Sequence, residues 1–264
     1  MTISTPPDVL EEMLALANHL VTEDDTPVDN LFSETQQRLL TEPLYSSWAG
    51  PPSQSTTPEQ PRPFLVAANV GLFATMRQPP LVPDVFLSLD VQVAEDWYAK
   101  RHRSYFFWEF GKPPDVVIEI VSNREGHELG SKLSAYARMG VTYYAVYDPL
   151  QELSETVLQL FEKQGTSYQP YTGPQLQGLG LGLILWEGTY EGKSATWVRW
   201  CDAQGEVIPT GAERAARETA RATQEAAARQ REAAARRRAE AELAELRAEL
   251  ARLRPGTPPG ETLA

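Results

Sequence analysis

The sequence predicts an α+β or α/β domain on a mixed sheet, and three observations carry that expectation. Short apolar runs rich in Val, Ile, Tyr and Phe, punctuated by Pro, Gly and Asp, read as strands: FLVAANVGLFA, DVFLSLDVQV, DVVIEIVS, TYYAVYDP, ETVLQLFEKQ, SYQPYT and LGLILWEGTYEG. One convincing helix interrupts them, EGHELGSKLSAYARMG, with Leu129, Leu133 and Tyr136 at helical spacing and Gly140 placed as terminator. Strand, helix and strand over residues 115 to 148 then form a βαβ-like unit in a strand-rich domain.

The remaining elements follow in chain order. Residues 1–23 are an extension in which VLEEMLALANHLV reads as a short amphipathic helix with loose flanks. The globular part is expected over residues 24–208. It begins with a second helix, NLFSETQQRLLTEPLYSSW, capped by Asn30 or Ser33. Five prolines in the fifteen residues 49–63 require a loop. Residues 209–254 are almost entirely Ala, Arg and Glu and predict one long helix, about 66 Å if 44 residues rise 1.5 Å each. Leu243, Leu246, Leu250 and Leu253 keep a 3-4-3 spacing there, but the seam upstream is Ala or is broken by charge. This is a weak coiled coil or a solvated single helix. Residues 255–264 read as a disordered tail.

Composition narrows the function classes. At 264 residues and 42% hydrophobic, the chain can bury a sizeable core. No run has the roughly 18 apolar residues of a membrane span, and the first twenty residues lack the pattern of a signal peptide, so a cytoplasmic location is expected. The single cysteine, Cys201, allows neither an internal disulfide nor a thiolate metal cluster. A net charge of −12 argues against a protein that coats nucleic acid non-specifically, although a local site is compatible with it. Residues 211–254 carry 11 Arg against 8 Glu, so the acidity belongs to the globular part.

The chemistry centres on Glu119, which stands between Val117 and Val121 on one side of the strand DVVIEIVS. A buried, unpaired carboxylate costs several kcal/mol or becomes neutral. The bland explanations are an edge strand in water or an ion pair with an arginine. Asp115 lies four residues earlier, roughly 13 Å along a strand and too far to share an ion; it reads as a cap at the strand start. Asp84, at the head of PDVFLSLD, is the better partner. Carboxylates from adjacent strands can meet on Mg²⁺, which needs only one or two protein carboxylates. Lys132, three residues after Leu129 and four before Tyr136, projects from the core-facing side of its helix, either snorkelling along the packing surface or pointing into a site, and Glu119 at the end of the preceding strand favours the site.

VPDVFLSL followed by SYFFWEFGKPPDVVIEIVSNREGHELGSKLSAYARMGVTYYAVYDP resembles the bacterial Uma-type restriction endonuclease family, a branch of the PD-(D/E)XK nuclease superfamily. The resemblance extends from about residue 24 to the Arg-rich helix. It implies a restriction-endonuclease-like core: a mixed sheet flanked by helices, followed by the long C-terminal helix. It further implies that Asp84 and Glu119 ligate Mg²⁺ or Mn²⁺, with the Ile120 carbonyl as a further ligand. The superfamily lysine position, two residues after the acid, is Val121 here, and Lys132 matches the helix position to which this branch has moved that lysine. Glu34 is the best-placed candidate for a first acid from the N-terminal helix.

The expected activity is metal-dependent endonucleolytic hydrolysis of DNA, with Asp84, Glu119 and Lys132 as catalytic residues. A homodimer aided by the C-terminal helix would suit cutting of both strands. The competing reading is a nuclease-fold binding or assembly protein, without catalysis, acting through that helix. Several weaker signals remain. WYAKRHRSYFFWEF, residues 97–110, mixes Lys100, Arg101 and Arg103 with aromatics and reads as core or as a strip that grips backbone and stacks bases. Ser122 and Asn123 read as caps or site residues, Tyr136 and Tyr143 as core. The three histidines form no metal pattern.

Overall fold

The computed structural model describes residues 30–48, 50, 62–122 and 127–253. The helix expected over residues 9–21, most of the 49–63 loop, Asn123 and the tail beyond Pro255 lie outside the described residues. Helix α1 spans Leu31–Ser47, and the open choice of cap resolves to Asn30, whose side chain accepts hydrogen bonds from the Phe32 and Ser33 amides at 3.0 Å each. The strands that follow are β1 (Phe64–Ala68), β2 (Leu72–Phe73), β3 (Val85–Leu89), β4 (Tyr105–Phe106) and β5 (Val116–Ile120). A one-turn helix α2, Phe107–Phe110, lies between the last two. After α3 (Leu133–Met139) come β6 (Tyr143–Tyr147), β7 (Leu158–Gln164), β8 (Ser167–Pro170), β9 (Gln175–Leu176), β10 (Leu181–Tyr190) and β11 (Lys193–Asp202). Helix α4 then runs Gly211–Leu253.

The main sheet has six strands in the order β1-β3-β5-β6-β7-β8. Neighbours are antiparallel except β5 and β6, which are parallel and joined by the crossover containing α3. The sheet is therefore mixed, as the sequence predicts. Strands β3, β5 and β6 are buried at every residue, which is why they read as continuous apolar runs. One face, with Leu87, Ile118 and Tyr147, packs against Leu40 and Leu44 of α1 and against Leu183, Val198 and Trp200 of the β10–β11 hairpin. The other face, with Phe86, Val117, Tyr144 and Val146, packs against Tyr136 and Ala137 of α3.

Three local departures have physical causes. The expected 125–140 helix is regular only over Leu133–Met139; before it comes a wide turn, Glu128–Lys132, broken at Gly130 (φ −117°, ψ −108°). Glycine, weakest of the ordinary residues at holding a helix, permits that break. FLVAANVGLFA is two strands rather than one, because Asn69 adopts a left-handed φ of 54° between them. Strand β11, unanticipated, pairs along all ten residues of β10 through a tight Glu191–Gly192 turn with φ of 47° and 75°.

The outer edge of β11 is covered by a side chain. Gln36 of α1 donates to the Val198 carbonyl at 2.8 Å and accepts from the Val198 amide at 3.0 Å, and Trp200 donates through Nε1 to the Leu40 carbonyl at 2.8 Å. These bonds fix the axial position of α1. Contacts divide the chain after Gly211 into two units. The second contains α4, whose described side chains are almost all exposed and include the i,i+4 pairs Arg221–Glu225 at 2.8 Å and Arg236–Glu240 at 2.9 Å. Among the described residues no helix is long and apolar enough to cross a membrane.

Candidate active site

Strands β3 and β5 pair antiparallel with Val85 opposite Ile118 and Phe86 opposite Val117. Carried one residue further, this register sets Asp84 opposite Glu119. Side chains directly opposed on neighbouring strands share a face, with Cβ atoms about 4.5–5.5 Å apart. That face is the one covered by α3, since Phe86, Val117 and Val121 all belong to the cluster around Tyr136. Two acids 35 positions apart in the chain thus converge because one strand pairs with another in a fixed register.

Asp84, 8% exposed, is held at both oxygens. Its Oδ2 accepts from the Ile120 amide at 2.7 Å and its Oδ1 from Gln37 Nε2 at 2.9 Å. Gln37 is in turn oriented by Asn69, whose Nδ2 donates to Gln37 Oε1 at 3.0 Å. The carboxylate therefore spans from the sheet to α1.

Glu119 is 1% exposed in a strand with neighbours on both sides, so a wet sheet edge does not account for it. Among the described residues no arginine meets it either. Lys132 Nζ donates to its Oε2 at 2.9 Å and the Tyr136 hydroxyl to its Oε1 at 2.7 Å. Lys132 also reaches Glu128 Oε1 at 3.3 Å. The broken turn at Gly130 carries Glu128 and Lys132 into the regular start of α3, and Tyr144 ties the turn down by donating to the Glu128 carbonyl at 3.0 Å.

The electrostatics follow from burial. Loss of water raises the Glu119 carboxyl above the ordinary carboxylate range, an effect opposed by the Lys132 charge and the Tyr136 hydrogen bond. Burial alone would lower Lys132, but the carboxylates of Glu119 and Glu128 outweigh it and the ammonium is stabilised. Burial, with Glu119 beside it, lifts the Tyr136 hydroxyl far above its usual value, so it remains a donor. Glu128 is 5% exposed and its Oε2 has no hydrogen-bond partner among the described residues. That oxygen is an unused acceptor on the lysine side of the site.

The sequence-derived residues divide clearly. Asp84, Glu119 and Lys132 are brought together, and Ile120 touches the site through its amide, which holds Asp84. Glu34 is not part of this group: its side chain is half exposed and pairs with Arg38 at 3.2 Å. Three residues further along α1, the helix offers Gln37 to Asp84 instead. Asp115 is engaged elsewhere, accepting from Lys112 Nζ at 2.6 Å and from the Leu89 amide at 2.7 Å, which matches its reading as a strand-start anchor. Ser122 is exposed and Tyr143 is a core residue. Tyr136 is both core and site.

Gln37, Asn69 and Glu128 were not singled out from the sequence. Glu128 had a signal, its i,i+4 spacing to Lys132; Gln37 and Asn69 had none, because an amide looks the same whether it caps, packs or orients. Among the described residues no group of three or more His, Cys, Asp or Glu side chains is arranged to hold a metal ion. The available donor set is two opposed carboxylates with hard oxygens, which fits an ion that retains several waters, such as Mg²⁺.

The sequence model of the Uma2 family, described as "Putative restriction endonuclease", matches residues 33–185, from the first turn of α1 into β10. That span contains Asp84, Glu119 and Lys132. No curated protein matches the chain.

Proposed function

The chain belongs to the Uma2 restriction endonuclease family, and on that premise we propose that it is a Mg²⁺- or Mn²⁺-dependent endonuclease that hydrolyses phosphodiester bonds of DNA. The observation that carries this reading is the placement of Asp84 across from Glu119 with Lys132 hydrogen-bonded to the latter. Asp84 and Glu119, with the Ile120 carbonyl, would hold the ion, which supplies Lewis-acid polarisation of the phosphodiester and a more acidic bound water. The protein's own parts are positional and electrostatic. Ile120 and Gln37 fix the Asp84 carboxylate, and Tyr136 fixes that of Glu119, before any substrate arrives. Lys132, kept protonated by its two carboxylate neighbours, acts as a donor: it orients the attacking water and offsets the charge that develops on the phosphoryl oxygens. The homodimer belongs to the same proposal, since α4 leaves Leu246 and Leu250 more than half exposed.

A non-catalytic binding or assembly protein is the second reading, favoured by Gln37 facing Asp84 where the wider superfamily pattern expects an acid. Two measurements separate the readings. Mg²⁺ or Mn²⁺ raises the melting temperature of the wild-type chain and raises it less after Asp84→Ala; binding at 100 times Kd corresponds to about 2.7 kcal/mol. Plasmid nicking occurs with the metal and disappears in Glu119→Ala. Wild-type protein that neither gains stability from the ions nor nicks would establish the second reading, and nicking that persists in purified Glu119→Ala would refute the assignment.

A further inference from the structure

The sheet face that bears Asp84 and Glu119 continues sideways into a second feature that the hydrolytic reading does not use. A pocket of about 410 Å³ opens there. Its floor is Leu65 and Ala67 of β1 and Phe86 of β3, and its wall is Trp97, Tyr98 and Arg103. Ala67 and Phe86 are cross-strand partners, and Phe86 is two residues from Asp84 on the same side of β3. At about 3.3 Å per residue the pocket floor begins roughly 7 Å from the acid. About two nucleotide steps of a strand cover that distance, at about 3.4 Å each when stacked.

The aromatics of residues 97–110 differ in exposure, with Phe107, Trp108 and Phe110 partly buried. Tyr105 and Phe106 are buried at 1% and 0%, the ordinary fate of aromatic side chains. Trp97 and Tyr98 are 61% and 77% exposed and meet each other edge-on, with centroids 6.2 Å apart at 72°. Large aromatics left in water beside an apolar pocket mark a surface that gains from being covered. The cover has to be compatible with charge: around Trp97 and Tyr98 the chain carries Lys100, Arg101 and Arg103 against Glu95 and Asp96, a local basic excess within a molecule of net charge −12. The Arg103 side chain is held in place by donating from Nε to the Tyr98 carbonyl at 2.9 Å. A flat, apolar-faced group on an anionic chain satisfies both requirements.

We infer that this pocket receives an unpaired nucleobase of the DNA strand whose phosphodiester meets Asp84 and Glu119, with the base stacked on Trp97 and Tyr98 and the adjoining phosphates on Lys100, Arg101 and Arg103. The inference rests on the nuclease reading and adds to it a substrate class: single-stranded or locally unstacked DNA. Base–aromatic stacking tolerates any sequence, because every base has a π-face, so the pocket selects strand state rather than base identity.

The test is binding without cleavage, by the full chain in EDTA. The anisotropy of a labelled single-stranded oligodeoxythymidine is compared with that of an abasic chain of equal length and charge. The base-containing strand binds roughly 5- to 150-fold tighter, the span expected for one stacked base. The combined Trp97→Ala and Tyr98→Ala variant, altered only at exposed positions, loses that difference, while Lys100→Ala with Arg101→Ala weakens both ligands alike. Equal affinity for the two ligands in the wild type, or a difference that survives removal of the two rings, overturns the pocket. Its failure is distinct from failure of the hydrolytic reading: a base preference that tracks Trp97 and Tyr98 upholds the pocket even if Glu119→Ala still nicks.

Discussion

At the scale of single residues, Glu119 is the most constrained member of the site. Burial raises its carboxyl, so the folded chain retains a proton that the unfolded chain has released above about pH 4.3. The stability contributed by Glu119 is therefore complete below that pH and declines as pH rises through the folded value. Relative to Glu119→Gln, the metal-free wild type should lose stability as pH increases from about 4.3 towards neutrality; a difference that stays flat in urea titrations across that range would contradict the buried-carboxyl account. Removing the lysine is harsher. Lys132→Met leaves Glu119 with Tyr136 as its remaining hydrogen-bond partner among the described residues at neutral pH and should cost roughly 3 kcal/mol, a penalty that shrinks in acid as the carboxyl protonates. The three principal residues were legible in the sequence because each violates a local rule: an acid within an apolar strand, a lysine on a core-facing stripe, an aspartate heading a hydrophobic run. Gln37 violates none, and its role depends on where α1 docks, which no local pattern encodes.

At the scale of elements, the crossover between β5 and β6 positions the lysine. It ends at Gly140, whose φ of 91° lets its amide bond back to the carbonyls of Tyr136 and Ala137. A Cβ at Gly140 would also sit 3.4 Å from Pro113 Cγ. Gly140→Ala should cost about 1–2 kcal/mol from the left-handed backbone alone, a loss of several degrees in melting temperature for a domain of this size; an unchanged melting curve would show that the terminator is dispensable. The strands of the main sheet were readable because periodicity and punctuation agree there, whereas FLVAANVGLFA reads as one strand and is two, and the two-residue strands β4 and β9 carry no such pattern. Strand β11 was not, since KSATWVRWCD is polar at one end and aromatic at the other, and it becomes a strand through pairing with all of β10. The crossover helix is shorter than its periodicity predicts because the chain breaks at Gly130.

At the scale of the molecule, charge is unevenly distributed along the chain. The globular unit bears the negative charge, the basic residues 100–103 interrupt it beside the pocket, and α4 carries alternating Arg and Glu. Its exposed Leu243, Leu246 and Leu250 give it a narrow apolar strip. Sedimentation equilibrium should report a dimer for the full chain and a monomer after Leu246→Glu with Leu250→Glu; a monomer in both assigns α4 to a solvated spacer. The topology of the main sheet was legible only in part, since the βαβ-like unit fixes one parallel neighbour and says nothing of the four antiparallel pairings around it.

The grip of Gln36 on Val198 has a wider meaning. An unsatisfied margin of backbone amides and carbonyls is an invitation for another polypeptide to continue the sheet, and open margins of this kind are where fibrils and swapped assemblies begin. Here a glutamine imitates, with one amide group, the missing neighbour that would otherwise dock, and so closes the register at Val198 to newcomers. The helix that delivers this plug also presents Gln37, the very next residue, to Asp84, so closure of the sheet margin and orientation of the Asp84 carboxylate are secured by the same docking event.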